Sequence, residues 1–232
     1  MPYRRLPATD AARLKAIKTV MDNSSLYTVS GRIVDWSVLN RLPTAFTRLD
    51  NARKQYKALL EVQRKATMGL DPLLRRATMY VCHFLHVLFL AVERGEVKTS
   101  RLELYGLPSS GYSVPKLHTA ESLISFGRQL VAGEKQRIKL GGLPIYNPSI
   151  GKVATQLAVF ADAYEEQQLR IRQTQEALEA LQRLRPDTDE LLLELWNQIE
   201  KHFADAPPEV RFAECRKLGV VYYYRRHEEH LY

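Results

Sequence analysis

Residues 78–92, TMYVCHFLHVLFLAV, form the only long window in the chain that is apolar almost all the way round a helix. A surface helix shows a polar face, so a segment of this character must be enclosed by other elements. It predicts a central helix with further helices packed on it. With about fifteen apolar residues it falls short of the roughly 20 that a bilayer span requires, and no membrane segment is expected.

Periodicity and punctuation place the remaining elements. A first helix is predicted over 10–21, capped by Thr9 or Asp10 and ended by Asn23-Ser24-Ser25. Residues 26–42 read as a connector in which Asp35 caps a short turn and Trp36 plugs one end of the core. Pro43 suits the first position of a long helix with heptad spacing at Ala45, Leu49, Ala52, Tyr56, Leu59, Gln63 and Ala66. Gly69 reads as its stop and Asp71-Pro72 as a new start, so a loop of about three residues forces an antiparallel hairpin whose returning arm is the apolar helix, ending at Gly95.

Residues 96–118 break into turns, with a short extended piece at Leu102 and Leu104-Tyr105. Thr119 then caps a helix that stops at Gly141-Gly142, and Asn147-Pro148 starts another. That one carries the longest heptad in the chain: Ile150, Val153, Leu157, Phe160, Tyr164, Gln167, Ile171, Thr174, Leu178 and Leu181. Pro186-Asp187 marks a second hairpin turn, into a helix with Leu191, Leu192, Leu195 and Ile199. The tail holds a short helix between Pro207-Pro208 and Gly219, then residues 220–224 with strand propensity. These elements predict an all-α fold: an antiparallel helical bundle of two long hairpins, about 43–94 and 149–203, plus extra helices. It is read as a single domain, 1–232, with a C-terminal appendage at 207–232 that includes a small extended segment.

The net charge of +8 is unevenly placed: residues 1–65 carry +8, residues 66–149 carry +4 and residues 150–232 carry −4. Such asymmetry suits a polyanion partner, or a chain whose ends attract each other. Cys82 and Cys215 are too few for a disulfide framework and belong to no CxxC pair, which fits a reducing cytoplasm. The basic N-terminus is followed by no apolar signal region, so no signal peptide is expected.

At Leu6-Pro7-Ala8-Thr9-Asp10-Ala11-Ala12-Arg13, Gly141-Gly142-Leu143-Pro144-Ile145-Tyr146-Asn147-Pro148-Ser149 and Leu218-Gly219-Val220-Val221-Tyr222-Tyr223-Tyr224-Arg225, the chain resembles an uncharacterised family of bacterial all-helical proteins of about this length. The resemblance implies a fold family and assigns no catalytic residue.

Candidate chemistry is sparse. His83 and His86 stand three apart on one helix, as in helical metal sites, but such sites add carboxylates in Glu-x-x-His motifs and the sequence has none. Hydrogen-bonded core or rim histidines are the simpler expectation, and no metal or cofactor is predicted. His227-Glu228-Glu229-His230 lacks the spacing of zinc proteases. Cys82 sits in the most apolar stretch, where burial makes a thiol inert, and Cys215 lies between Arg211 and Arg216, which would lower its pKa. No P-loop, G-x-G-x-x-G or G-x-S-x-G is present.

Three groups remain as binding candidates. Tyr222, Tyr224 and Arg225 would stack on and clamp a nucleic-acid strand, against the alternative that these tyrosines are packing. Arg137, Tyr146 and Asn147, around the 141–149 loop, would hold a small anion beside a helix N-terminus. Lys54, Lys57, Arg64 and Lys65 fall at the outward f, b, b and c heptad positions, a basic face that Arg13, Lys15 and Lys18 would extend. The first functional reading is a non-enzymatic interaction or scaffold protein with an unknown protein partner. A second copy would serve if Leu178 and Leu181 lack cover. The alternatives are nucleic-acid binding through the basic face and an unrecognised helical hydrolase.

Overall fold

A computed structural model describes residues 2–23, 33–109, 113–117 and 119–224. The protein is all-α, with five α-helices, one 3-10 helix and a two-stranded sheet among the described residues: β1 Tyr3–Arg4, α1 Asp10–Met21, α2 Trp36–Glu93, the 3-10 helix Thr99–Tyr105, α3 Ala120–Lys139, α4 Ile150–His202, α5 Pro208–Lys217 and β2 Tyr222–Tyr223. The chain divides into two compact units, one formed by residues 1–60 with 173–232 and one by residues 61–172.

The two long hairpins do not form. Residues 36–93 are one helix that passes through Pro43, Gly69 and Pro72, and residues 150–202 are one helix that passes through Pro186. The reason lies in the phase of the apolar seam. From Ala45 the spacing of three and four residues continues unbroken through Leu70, Leu73, Ala77, Tyr80, Phe84 and Val87 to Ala91, and every one of these positions is buried or half-buried. On α4 the same spacing runs from Ile150 past Leu181 through Arg185, Thr188, Leu192 and Leu195 to Ile199, again covered throughout. An interior proline costs about 3 kcal/mol, whereas burying one leucine-sized side chain returns about 1.5–3 kcal/mol. Two or three seam residues therefore outweigh each proline.

In the unit of residues 1–60 and 173–232, α2 and α4 run antiparallel. The Asp35 amide donates to the Gln198 side chain at 2.7 Å, Arg41 donates to Glu194 at 3.0 Å, and Leu49 shares a buried cluster with Leu181. Leu181 is thus covered within its own chain, while Leu178 is half-buried. Helix α1 begins where expected, its Thr9 hydroxyl accepting from the Ala12 amide. Arg13 does not extend a basic face: it is buried and donates two hydrogen bonds of 2.7 Å to Asp189, while Asp10 accepts two of 2.9 Å from Arg185. These two pairs straddle Pro186 and pin α4 on both sides of it.

Trp36 begins α2 and is 52% exposed, so it plugs nothing; the tryptophan enclosed in this core is Trp196. Strand β2 pairs antiparallel with β1, Tyr3 opposite Tyr223.

In the unit of residues 61–172, Val81, Phe84, Leu85 and Leu88 of α2 are fully buried with Leu102, Tyr105, Leu123, Leu130, Val153 and Phe160. An 18-residue window of α2 is long and apolar enough, at a mean hydropathy of 1.2, to cross a membrane by length and composition, and a third of it is buried. The extended piece expected near Leu102 is instead 3-10 helical. A three-residue period puts Leu102 and Tyr105 on one side, and both are enclosed.

The continuity of the long helices is open to direct test. Pro72→Ala and Pro186→Ala should each raise stability by about 1–3 kcal/mol, because each removes an interior proline from a helix. Urea denaturation reads the change. A neutral or destabilising result at both positions would restore the turns.

Candidate functional site

A buried and fully bonded group of polar side chains lies under the turn that leaves α3. Gly133 on α3 lets the 3-10 helix approach so closely that an added Cβ would stand 2.5 Å from the Leu104 carbonyl oxygen. This approach brings Tyr105, fully enclosed, to the next residues of α3, Glu134 and Arg137, which are buried as well. The Tyr105 hydroxyl donates to Glu134 Oε2 at 2.5 Å. Arg137 donates through Nε to the same oxygen at 2.8 Å and through Nη2 to Oε1 at 2.8 Å.

The pair also reaches forward along the chain. Arg137 Nη2 donates to the Leu143 carbonyl at 2.7 Å, and Glu134 Oε1 accepts from the Ile145 amide at 3.2 Å. These two backbone contacts, at Leu143 and Ile145, therefore end on one buried ion pair.

Its electrostatics follow from those contacts. Burial alone would push the Glu134 carboxyl up, but hydrogen bonds from Arg137, Tyr105 and the Ile145 amide, with the Arg137 charge, outweigh it and hold the group below its ordinary range. Burial, then the bond to Glu134, pushes the Tyr105 phenol up, and the bond to Glu134 raises Arg137 further. Glu134 is ionised, Tyr105 neutral and Arg137 charged at neutral pH.

The loop itself starts from a tight helix end. The Gly141 amide donates to the Ile138 carbonyl and the Gly142 amide to the Arg137 carbonyl, with Gly141 at φ +88°, a left-handed stop that fits the expected C-cap. Gly142 runs against the Arg137 guanidinium, where a Cβ would stand 2.6 Å from Nη1. Ser149, rather than Asn147, receives the first turn of α4, its carbonyl accepting from the Val153 amide at 3.2 Å. Between these anchors Ile145 and Pro148 turn inward. Leu140, Leu143 and Tyr146 turn outward, 52%, 82% and 79% exposed. Among the described residues only six large apolar side chains are more than half exposed, and three of them fall within these seven residues. Singly scattered apolar residues need no account, but this grouping does.

The other candidates separate. Arg137 is committed to Glu134, so the cation expected to hold an anion beside exposed Tyr146 and Asn147 does not face them. Lys54, Lys57, Arg64 and Lys65 are exposed on α2, with Lys54 paired to Asp50 at 2.7 Å. Tyr222 is half-buried, edge-on to Phe212 at 5.0 Å and donating to Glu200 at 2.5 Å. Tyr224 accepts from Arg216 at 3.2 Å, and Arg225 lies outside the described residues. His83 and His86 are exposed, and among the described residues no three ligating side chains gather as a metal site. Burial raises both thiols, and Cys215 is enclosed in the core in spite of its flanking arginines.

Glu134 and Tyr105 were missed in the sequence, although a signal existed. Glu134 and Arg137 continue the spacing of Leu123, Gly127 and Leu130, which places two opposite charges on the buried stripe of α3. Fold and site together define an all-α protein that presents a rigidly anchored apolar loop. Comparison with family models, with curated proteins and with solved structures finds no match for this chain.

Glu134→Gln leaves a buried guanidinium without its counter-charge and should cost about 3–5 kcal/mol. Because the folded-state pKa of Glu134 lies below its unfolded value of about 4.3, its stabilisation is complete above that value and is lost as pH falls through the folded pKa. The denaturation midpoint of the wild type should therefore drop below about pH 4, and the Gln variant should lose that part of the drop. Replacing Glu134 by Leu, Arg137 by Met and Tyr105 by Phe together, which leaves no side-chain polar group unpaired, should recover part of that loss while speeding hydrogen exchange at the Ile145 amide, which separates holding the loop from holding the fold.

Proposed function

We propose that this is a non-enzymatic interaction protein of the bacterial cytoplasm whose contact surface is the loop of residues 140–146. One observation carries the reading: Leu140, Leu143 and Tyr146 project from a backbone that a buried ion pair fixes at Leu143 and Ile145. Two charges buried side by side are a costly way to gain stability, since apolar residues of similar volume do as well or better. They are a direct way to hold a backbone in one position, and binding gains when the bound conformation is already set. The two free thiols suit a reducing compartment.

Polyanion binding through α2 has weaker support. Lys57, Arg64 and Lys65 are exposed, yet exposed Glu61 lies within one helical turn of each.

A photo-crosslinking residue at position 143, introduced in cells, should yield adducts that the same residue at exposed Gln175 does not. Leu143→Ser with Tyr146→Ser should abolish adducts captured from position 140. If position 143 gives no more adducts than position 175, the loop is not the contact surface.

A further inference from the structure

We propose that the loop of residues 140–146 docks on an anionic lipid surface, dipping Leu143 and Tyr146 below the headgroups while the lysines beside it meet the lipid charges. The proposal rests on the loop being the contact surface and names what it contacts.

The charge pattern is the first argument. From Ser122 to Ala161 the sole carboxylate is Glu134, and it is buried and neutralised by Arg137. The exposed charges of the turns that flank the loop are Lys135 and Lys139 at the end of α3 and Lys152 at the start of α4. Among the described residues no carboxylate forms an ion pair with any of these three lysines, so an anionic surface would find them unneutralised. Apolar side chains at a tip with cations behind them are the arrangement that binds an anionic bilayer from one side. A tyrosine beside them suits the boundary, with its ring in the apolar layer and its hydroxyl in the wet one.

Backbone accounting is the second argument. A loop sinks toward hydrocarbon at less cost the more of its amides and carbonyls are already bonded within the protein. The Leu143 carbonyl is held by Arg137, the Ile145 amide by Glu134, the Gly141 and Gly142 amides by α3 carbonyls, and Tyr146 bridges to Ser149. The buried ion pair thereby satisfies two of the backbone groups, the Leu143 carbonyl and the Ile145 amide, that lipid would leave unpaired.

Area is the third argument. Three such side chains offer on the order of 400 Å², about half of what a stable protein interface takes from each partner. A bilayer asks for no matching surface, and a tip of this size is enough when cations assist it.

The test is flotation of the full chain with vesicles of phosphatidylcholine and phosphatidylglycerol at about 7:3, against phosphatidylcholine alone, at about 50 mM salt, where electrostatic attraction is weakly screened. The wild type should float with the anionic vesicles and at least tenfold less with the neutral ones. Exchanging Lys135, Lys139 and Lys152 for Gln should weaken binding roughly a hundredfold, at about a factor of five per lysine. Leu143→Ser with Tyr146→Ser should weaken it tenfold or more. All five positions are exposed, and an unchanged circular dichroism melt would show that each variant folds. Failure of the wild type to float, or flotation that survives the Leu143 and Tyr146 exchanges, overturns the proposal. If the vesicles stay unbound while position 143 crosslinks to a protein, the lipid surface is wrong and the contact surface stands.

Discussion

Much of this structure depends on the phase of two apolar seams. A covered residue recurs every three or four positions along α2 from Ala45 to Ala91 and along α4 from Ile150 to Ile199. A turn at residues 69–72 or at 186 would throw that stripe out of register and expose its leucines, a larger loss than an imperfect hydrogen bond at a proline. Local helix-breaking chemistry is therefore overruled by side-chain burial, as it often is when propensity and packing disagree. At Pro186 the contest is settled further by the ion pairs of Asp10 with Arg185 and of Arg13 with Asp189.

Charged residues serve two distinct ends in this protein. On the outer faces of α2 and α4 they are exposed, and pairs such as Arg75 with Asp71 or Arg183 with Glu179 contribute little to stability. Under the 140–149 loop the same chemistry is dry, and there it fixes geometry. Glu134 and Arg137 spend every strong contact on each other, on Tyr105, and on the backbone of residues 143 and 145. The consequence is a loop whose inward side chains, Ile145 and Pro148, hold it down while Leu143 and Tyr146 are offered outward.

How far a site can be read from sequence depends on how local its physics is. The 141–149 segment stood out because its glycines, prolines and Asn147 are punctuation, and its two glycines do close α3 as that punctuation suggests. Arg137 and Tyr146 were singled out together as one anion site, yet they work on opposite sides of the loop: the first beneath it, the second at its surface. Only the partner of Arg137 decides that, and the partner of choice, Glu134, is recognisable just from its place on a buried stripe. The tyrosines at 222 and 224 divide in the same way, since a half-buried ring against Phe212 and a hydroxyl on Glu200 are facts of packing.

By itself the sequence determined what is set within a few residues: the helical class, the start of α1 at Thr9 and Asp10, the ends of α3 and α5 at glycines, and the buried side of residues 81–92, whose other side, with His83, His86 and Leu90, is exposed rather than enclosed as the all-round apolar pattern predicts. Each follows from a cap, a left-handed residue or a period of 3.6, none of which needs a distant partner. Tertiary structure alone decided that α2 and α4 run on through their prolines, that β2 finds its partner in Tyr3–Arg4, that Arg13 turns to Asp189, and that a buried Glu134 holds the loop. Those outcomes compare the energy of one local arrangement with that of contacts to residues far along the chain, and that comparison can be made only where the distant residues are brought together.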